Sequence, residues 1–256
     1  MPNQQQHYSQ LAENFDQVWQ FSAEYEPWMV EHIQAHLALK PDEHWVDFGA
    51  GTGRFSQALH HYAKPATTLC VEPDASMCAI AQQKTELNSL QSCDKEFIKQ
   101  PIHYDALLIK EVIHHLSHRM AFWQGVKKQL SDKGRILLIT RPQQTTLALF
   151  GQAKQRFAEH QPAIETLCTE LEQAGFSTQV SVLDFPLQSE KTHWYAMLRA
   201  KFMSDLASFS DAAIEAGIAE LEAEHPNNWI SHGDRLLFVL ARIKANSATC
   251  GTISAI

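Results

Sequence analysis

The chain has no dense run of lysine or arginine, and 21 basic residues against 29 acidic ones leave a formal charge of −8. Such a surface offers no basic field to a phosphate backbone, so nucleic acid is excluded as an expected partner. No apolar stretch approaches the roughly 20 residues that cross a bilayer. Residues 1–10 lack both a basic n-region and an apolar core, so neither a membrane span nor a secretory leader is expected. The five cysteines, Cys70, Cys78, Cys93, Cys168 and Cys250, are odd in number and widely spaced, with no C-x-x-C. Free thiols in a reducing compartment follow, and with them a cytoplasmic location. No internal repeat divides the 256 residues, a length that suits one α/β domain with insertions better than two domains.

Against these absences stands one dense local signal. A short apolar strand, Trp45-Val46-Asp47-Phe48, runs into three glycines at alternate positions, Gly49, Gly51 and Gly53, and then into a helical pattern with Phe55, Ala58 and Leu59 on one face. Glycine tolerates positive φ and has no Cβ to hold a ligand away, so D-x-G-x-G-x-G reads as a nucleotide-binding turn whose helix N-terminus faces an anionic group. Glycine spacing alone is also compatible with a βα turn that binds nothing. The next run, 66–71, is rich in β-formers and ends at Glu72, nineteen residues beyond Gly53. An acid at that place is positioned to accept hydrogen bonds from two ribose hydroxyls. A nicotinamide site would place its third glycine differently, as G-x-G-x-x-G.

Four segments, in order, extend this unit over roughly residues 44–140: Val46 to Gly53, Glu72-Pro73-Asp74-Ala75-Ser76-Met77, Tyr104 to Leu116, and Gly134-Arg135-Ile136-Leu137-Leu138-Ile139. Together they resemble the class I S-adenosylmethionine-dependent methyltransferases, in their type 11-like, small-molecule branch. The resemblance implies an α/β fold, a Rossmann-like seven-stranded mostly parallel sheet with helices on both faces and a helical cap. It implies S-adenosylmethionine as methyl donor and S-adenosylhomocysteine as product. By the same resemblance Gly49, Gly51 and Gly53 pass close to the methionine moiety, Asp47 orients its amino group, Glu72 holds the ribose, and Pro73 or Met77 flanks the adenine. The family's acid after the third strand falls here at Asp94, displaced by one position within Ser92-Cys93-Asp94. Lys110 and Glu111 lie just past the fourth strand, on the cofactor's methionine end.

Periodicity along the chain alternates between helix and strand in the βαβ manner. The pattern predicts two helices over 15–39, broken near Glu26-Pro27 and carrying Trp19, Tyr25 and Trp28. It predicts strands at 45–48, 67–71, near 93–98, at 106–109, 135–140, 179–183 and 235–243. Helices are expected over 76–86, 119–130, 145–159 and 162–174, the last closed by Gly175. One methyltransferase domain over 1–256 is expected, with an N-terminal helical cap at 1–40 and a helical insertion at 188–233 forming part of a substrate cap.

Acceptor chemistry is less marked. His114 and His115 sit where cofactor and acceptor meet and are the catalytic candidates. Equally, Val112, Ile113 and Leu116 pack there and each histidine only hydrogen-bonds locally. No carboxylate or cysteine completes a ligand spacing with His114, His115 and His118, so no metal is expected. Trp194, Leu198, Phe202 and Leu206 recur at helical spacing and read as core. Tyr25, Arg141, Tyr195 and Arg199 are the substrate-binding candidates, the arginines bracketing an anionic small molecule; an exposed helix charge is the plainer reading of Arg199. The function expected is methyl transfer to a small molecule, with no nucleic-acid or membrane partner. The alternative is a cofactor-binding relative without transfer activity that acts as a regulatory or assembly partner.

Overall fold

The structure is a computed structural model that describes residue 16 and residues 21–244. The expectations placed on residues 1–10, Val18, Trp19 and Cys250 lie outside the described residues. Seven strands form one sheet: β1 (His44–Phe48), β2 (Thr67–Glu72), β3 (Asn88–Gln91), β4 (Tyr104–Lys110), β5 (Leu130–Thr140), β6 (Phe176–Glu190) and β7 (Trp229–Ile243). Their order is β3-β2-β1-β4-β5-β7-β6, and only β7 runs antiparallel to its neighbours.

The inner strands are apolar on both faces because helices cover both. Trp45, Leu108, Leu137 and Ile139 point to one face, beneath α1 (Tyr25–Leu37) and α2 (Arg54–Ala63). Val46, Leu107, Ile109 and Leu138 point to the other, beneath α5 (Arg119–Gln129) and α7 (Ile164–Gln173). All eight are 2% exposed or less, and each buried aliphatic side chain of this size contributes roughly 1.5–3 kcal/mol. Trp45 also satisfies its indole N–H, which donates to Thr68 Oγ1 at 2.8 Å. Between β2 and β4 lie α3 (Ala75–Gln82) and the short α4 (Asp94–Phe97).

Four expectations are corrected. The helix break expected near Glu26-Pro27 falls just ahead of that pair: residues 21–24 are not helical, and α1 starts at Tyr25 with Pro27 in its first turn, where its missing N–H has no helical partner to lose. The third strand is Asn88–Gln91, not 93–98; it is a four-residue edge strand with a single large apolar side chain, too short to show a period. The helix expected at 145–159 is α6 (Gly151–His160). Residues 145–150 are instead tied to β7, Thr146 Oγ1 donating to Gly233 O at 2.8 Å and accepting from Arg235 N at 2.9 Å. Finally, β6 and β7 pair from Phe176↔Ile243 to Glu190↔Trp229, so the segment between them spans 191–228 rather than 188–233. Backbone pairing carries this hairpin through Gln188, Ser189 and His232, past the point where the apolar pattern fades. The segment holds α8 (Lys191–Arg199), a 3-10 turn at Ser204–Leu206 and α9 (Asp211–Glu224). Trp194, Leu198, Phe202 and Leu206 are fully buried within it, as core.

Candidate cofactor and acceptor site

Strand order reverses at β1, whose neighbours β2 and β4 are reached by connections leading to opposite sides. Side chains at the carboxyl ends of these strands therefore converge on one crevice, the place where open α/β sheets bind ligands. On the β2 side lies the glycine loop. Gly49, Gly51 and Gly53 have φ of 76°, 57° and 73°. The loop is braced from below, the N–H groups of Gly49 and Ala50 donating to Val71 O at 2.8 and 3.2 Å. Glu72 Oε2 accepts from Gly51 N at 2.8 Å and Oε1 from Asp74 N at 2.9 Å. Each carboxylate oxygen retains a lone pair for a further donor. Burial pushes the Glu72 carboxyl up to about 7, against those two amide bonds. Asp74 caps α3, its Oδ1 accepting from Ser76 N and Met77 N at 3.0 Å each.

Gly49 is glycine for a reason other than ligand approach. A Cβ there would lie 2.2 Å from Val112 Cγ2, so the missing side chain makes room for the loop after β4. Gly49→Ala should accordingly destabilise the fold by ~1–3 kcal/mol, the range for overpacking, with the positive φ adding to it. Adding Val112→Ala removes both clashing methyls and should restore most of the loss in a urea titration. A double mutant no more stable than Gly49→Ala would show that the contact is not the cause.

Asp47, at the end of β1, is buried and accepts from Ser56 Oγ at 2.5 Å. Burial raises its carboxyl to about 6, while the Ser56 bond and the Lys110 charge oppose the shift. Lys110, at the end of β4, lies 4.4 Å from the centroid of the Phe55 ring, a cation–π contact. Burial and the neighbouring Arg141 lower its amine to about 8, against Asp234 and Asp47. Pro73 is exposed in the turn after β2, whereas Met77 is buried beneath it. Asp94 starts α4, three residues beyond the end of β3, which lies beside β2 in register Glu72↔Gln91. The structure thus gathers Asp47, the glycine loop, Glu72, Asp94 and Lys110 along one edge of the sheet. Asp16 also reaches this edge, its Oδ1 accepting from Thr52 Oγ1 at 2.7 Å and its carbonyl from Arg54 Nη1 at 2.9 Å.

On the β5 side is a buried charge network that the sequence did not disclose. Arg141 donates through Nε and Nη2 to the two oxygens of Asp234, at 2.7 and 2.9 Å. Its Nη1 pairs with Glu111 Oε2, and Tyr25 Oη donates to Asp234 Oδ2 at 2.6 Å. Burial by itself would lower the Arg141 pKa; the Asp234 charge and hydrogen bonds overcome this and hold it above the ordinary value. Burial, and then Asp234, push the Tyr25 phenol well above its usual range. Glu111 has φ of +59°, unusual without glycine, and its Oε1 is buried with no hydrogen-bond partner among the described residues.

The anionic bracket expected of Arg141, Tyr195 and Arg199 is not assembled. Arg141 is 2% exposed and held by two carboxylates. Arg199 is half exposed and forks onto Glu215 at 2.6 and 2.9 Å, on the outer side of the insertion. Tyr195 Oη donates to Glu222 at 2.8 Å. Each group is neutralised by its own acidic partner, a pairing between distant elements that spacing within one helix cannot reveal. Tyr25 likewise points into the network, its ring packed against Phe185 at 5.1 Å.

His114 and His115 belong to a 3-10 turn, Ile113–His115, directly after β4. Their rings are 4.0 Å apart. Burial drives the pKa values of His114 and His115 down to about 3 and about 4, with His160 adding to both. Both imidazoles are therefore neutral at ordinary pH. No cluster of three metal-binding side chains occurs among the described residues.

Residues 46–136 match the family model of a methyltransferase domain. No curated protein sequence matches the chain. Among solved structures, the mycolic acid cyclopropane synthase CmaA1, complexed with S-adenosylhomocysteine, is similar over 93% of this chain and 96% of its own, at TM-score 0.62 and 14% identity. The YcgJ protein of Bacillus subtilis is similar over 88% of this chain and all of its own, at TM-score 0.59 and 14% identity. A phosphoethanolamine N-methyltransferase 2 of Haemonchus contortus, in complex with phosphomonomethylethanolamine and S-adenosylhomocysteine, is similar over 83% of this chain and 51% of its own, at TM-score 0.54 and 13% identity. The fold is the Rossmann-like methyltransferase fold. Over residues 46–136 the chain is thus similar to a methyltransferase domain, and over most of its length to structures of that fold. Among the described residues no helix is long and apolar enough to cross a membrane.

Proposed function

We propose that this protein transfers a methyl group from S-adenosylmethionine to a small-molecule acceptor by in-line displacement. The observation that carries the reading is Glu72, a buried carboxylate at the carboxyl end of β2 that is braced by Gly51 N and Asp74 N and keeps a lone pair on each oxygen for a further donor. The donor set of the cofactor fits the acceptors present. Ribose hydroxyls match Glu72, and an ammonium group matches Asp47 and the unpartnered oxygen of Glu111. Exposed Pro73 and half-buried Asp94 line the adenine end in this reading. When bound, the cofactor supplies a methyl group on a positively charged sulfur.

The remaining work falls to the protein: holding the acceptor in line and excluding water. Fixed orientation of this kind can lower a barrier by ~7–11 kcal/mol in favourable systems. The segment 191–228 and α1 supply the acceptor walls in this proposal. Phe21 meets Trp194 with ring centroids 6.2 Å apart, and Trp28 meets Phe185 at 5.1 Å. A small acceptor suits the charge of −8, which offers nothing to nucleic acid. The complex of the Haemonchus contortus enzyme with phosphomonomethylethanolamine is a precedent for a small acceptor on this fold. Four free cysteines among the described residues fit a reducing, cytoplasmic setting.

The test is transfer of tritium from methyl-labelled S-adenosylmethionine into a deproteinised metabolite extract of the source cells. Label appearing in a small molecule, with S-adenosylhomocysteine formed in equal amount, is the expected result. Tight cofactor binding without any transfer would overturn it in favour of a binding protein.

A further inference from the structure

Resting on that reading, we propose that His160, oriented by Asp205, is the base that removes a proton from the methyl acceptor, and that the acceptor is therefore a hydroxyl or an amine. His160 Nδ1 lies 2.6 Å from Asp205 Oδ1. Asp205 is 3% exposed, in the 3-10 turn of the segment between β6 and β7, while the His160 side chain is 47% exposed. An ionised carboxylate only accepts, so the bond places the ring's hydrogen on Nδ1 and leaves Nε2 with its lone pair. A buried acid orienting a solvent-reachable imidazole is the arrangement a general base requires.

Its position agrees with the role. Gln161, the next residue, is held at the carboxyl end of β5 by Thr140 Oγ1 at 3.2 Å. The pair thus stands at the same edge of the sheet as the ends of β4 and β5, where the acceptor is proposed to bind. His114 and His115, driven toward about 3 and about 4 by burial, hold protons too weakly to serve instead.

In the step itself the acceptor's oxygen or nitrogen forms its bond to the methyl carbon as the carbon–sulfur electron pair leaves with sulfur, whose positive charge is lost. The proton from the acceptor's O–H or N–H passes to His160 Nε2 and then to water. The charged and titratable groups around the pair are Asp205 itself, Arg156 on α6, Arg141, His114 and His115.

Two measurements test this. In the cofactor-free protein, nitrogen NMR of the imidazoles should find His160 with hydrogen on Nδ1, and Asp205→Asn should shift that preference. In the tritium assay with metabolite extract, His160→Gln should slow label transfer by roughly 10²- to 10⁴-fold, the usual worth of a general base. The acidic limb of the rate–pH profile should disappear, and calorimetric affinity for S-adenosylhomocysteine should not change. Asp205→Asn should give a smaller loss with the limb displaced. A folded His160→Gln protein with the wild-type rate and acidic limb would overturn the assignment and leave the transferase reading intact. Should that variant not fold, an Asp205→Asn protein with unaltered tautomer and limb overturns it equally. Wild-type protein that binds the cofactor but labels nothing would remove the transferase reading, and this one with it.

Discussion

Asp234→Ala is expected to destabilise the fold by ~3–5 kcal/mol, the range for breaking a buried ion pair by removing one partner. Asp234 is fully buried and receives three hydrogen bonds, two from Arg141 and one from Tyr25. Its removal takes the acceptor from two N–H groups of a guanidinium that is 2% exposed, leaving it Glu111 as carboxylate partner, and takes the acceptor from a buried phenol. Damage to the cofactor end should come only through Glu111, which pairs with Arg141 and faces the ammonium group in the proposal, while the bonds of Glu72 to Gly51 N and Asp74 N are kept. Urea unfolding supplies the stability, and calorimetry with S-adenosylhomocysteine the affinity. A loss below about 1 kcal/mol would mean that water or a rearranged Glu111 replaces the carboxylate, and that the network is not a structural keystone.

Glu72→Ala should weaken S-adenosylhomocysteine binding by ~1.5–3 kcal/mol for each charged hydrogen bond it removes, with the fold retained. The titration of Glu72 gives a second, sharper signature. Burial raises its pKa to about 7. Two hydroxyl donors favour the charged form, so the bound pKa lies below the free one, and binding releases a proton at any pH between them. Affinity should therefore be level above about pH 7 and fall as the pH drops through that value. Glu72→Gln cannot ionise and should lose that limb, while keeping whatever slope the ligand's own amino group contributes. Binding heats in two buffers of different ionisation enthalpy report the proton directly. An identical pH slope in wild type and Glu72→Gln would dismiss the ribose assignment.

The two ends of the crevice differ in how plainly the sequence displayed them. The cofactor end is written in a contiguous stretch: strand, alternating glycines, helix, strand and acid all fall between His44 and Glu72. The side-chain bonds that brace it join near neighbours in sequence, Gly51 N to Glu72 and Ser56 Oγ to Asp47. The acceptor end is not local. Arg141 finds its counter-charge 93 residues later and Asp234 finds Tyr25 209 residues earlier, so a strand-end arginine looks available for a ligand when it is already paired. One signal was present. Arg141 stands two residues past the apolar run 136–139 and Asp234 two residues before the apolar run 236–241, in strands that lie antiparallel with Thr140↔Leu237 in register. A base just past one apolar run and an acid just before the antiparallel run that faces it are brought close together by that register. The true β3 escaped because four residues carry no period, and the lower end of the β6–β7 hairpin because polar residues continue its pairing.

The bond from Tyr25 to Asp234 also orders events in time. During synthesis the strands and glycine loop that frame the cofactor end can close once the chain has emerged slightly beyond β4, since their contacts span short stretches and cost little loop entropy. Asp234 is then still unmade, and Tyr25 has yet to meet its acceptor. The β5 side of the crevice is completed only when β7 slots between β5 and β6, so a nascent chain possesses the older half of its crevice well before it possesses the half that the proposal gives to the acceptor.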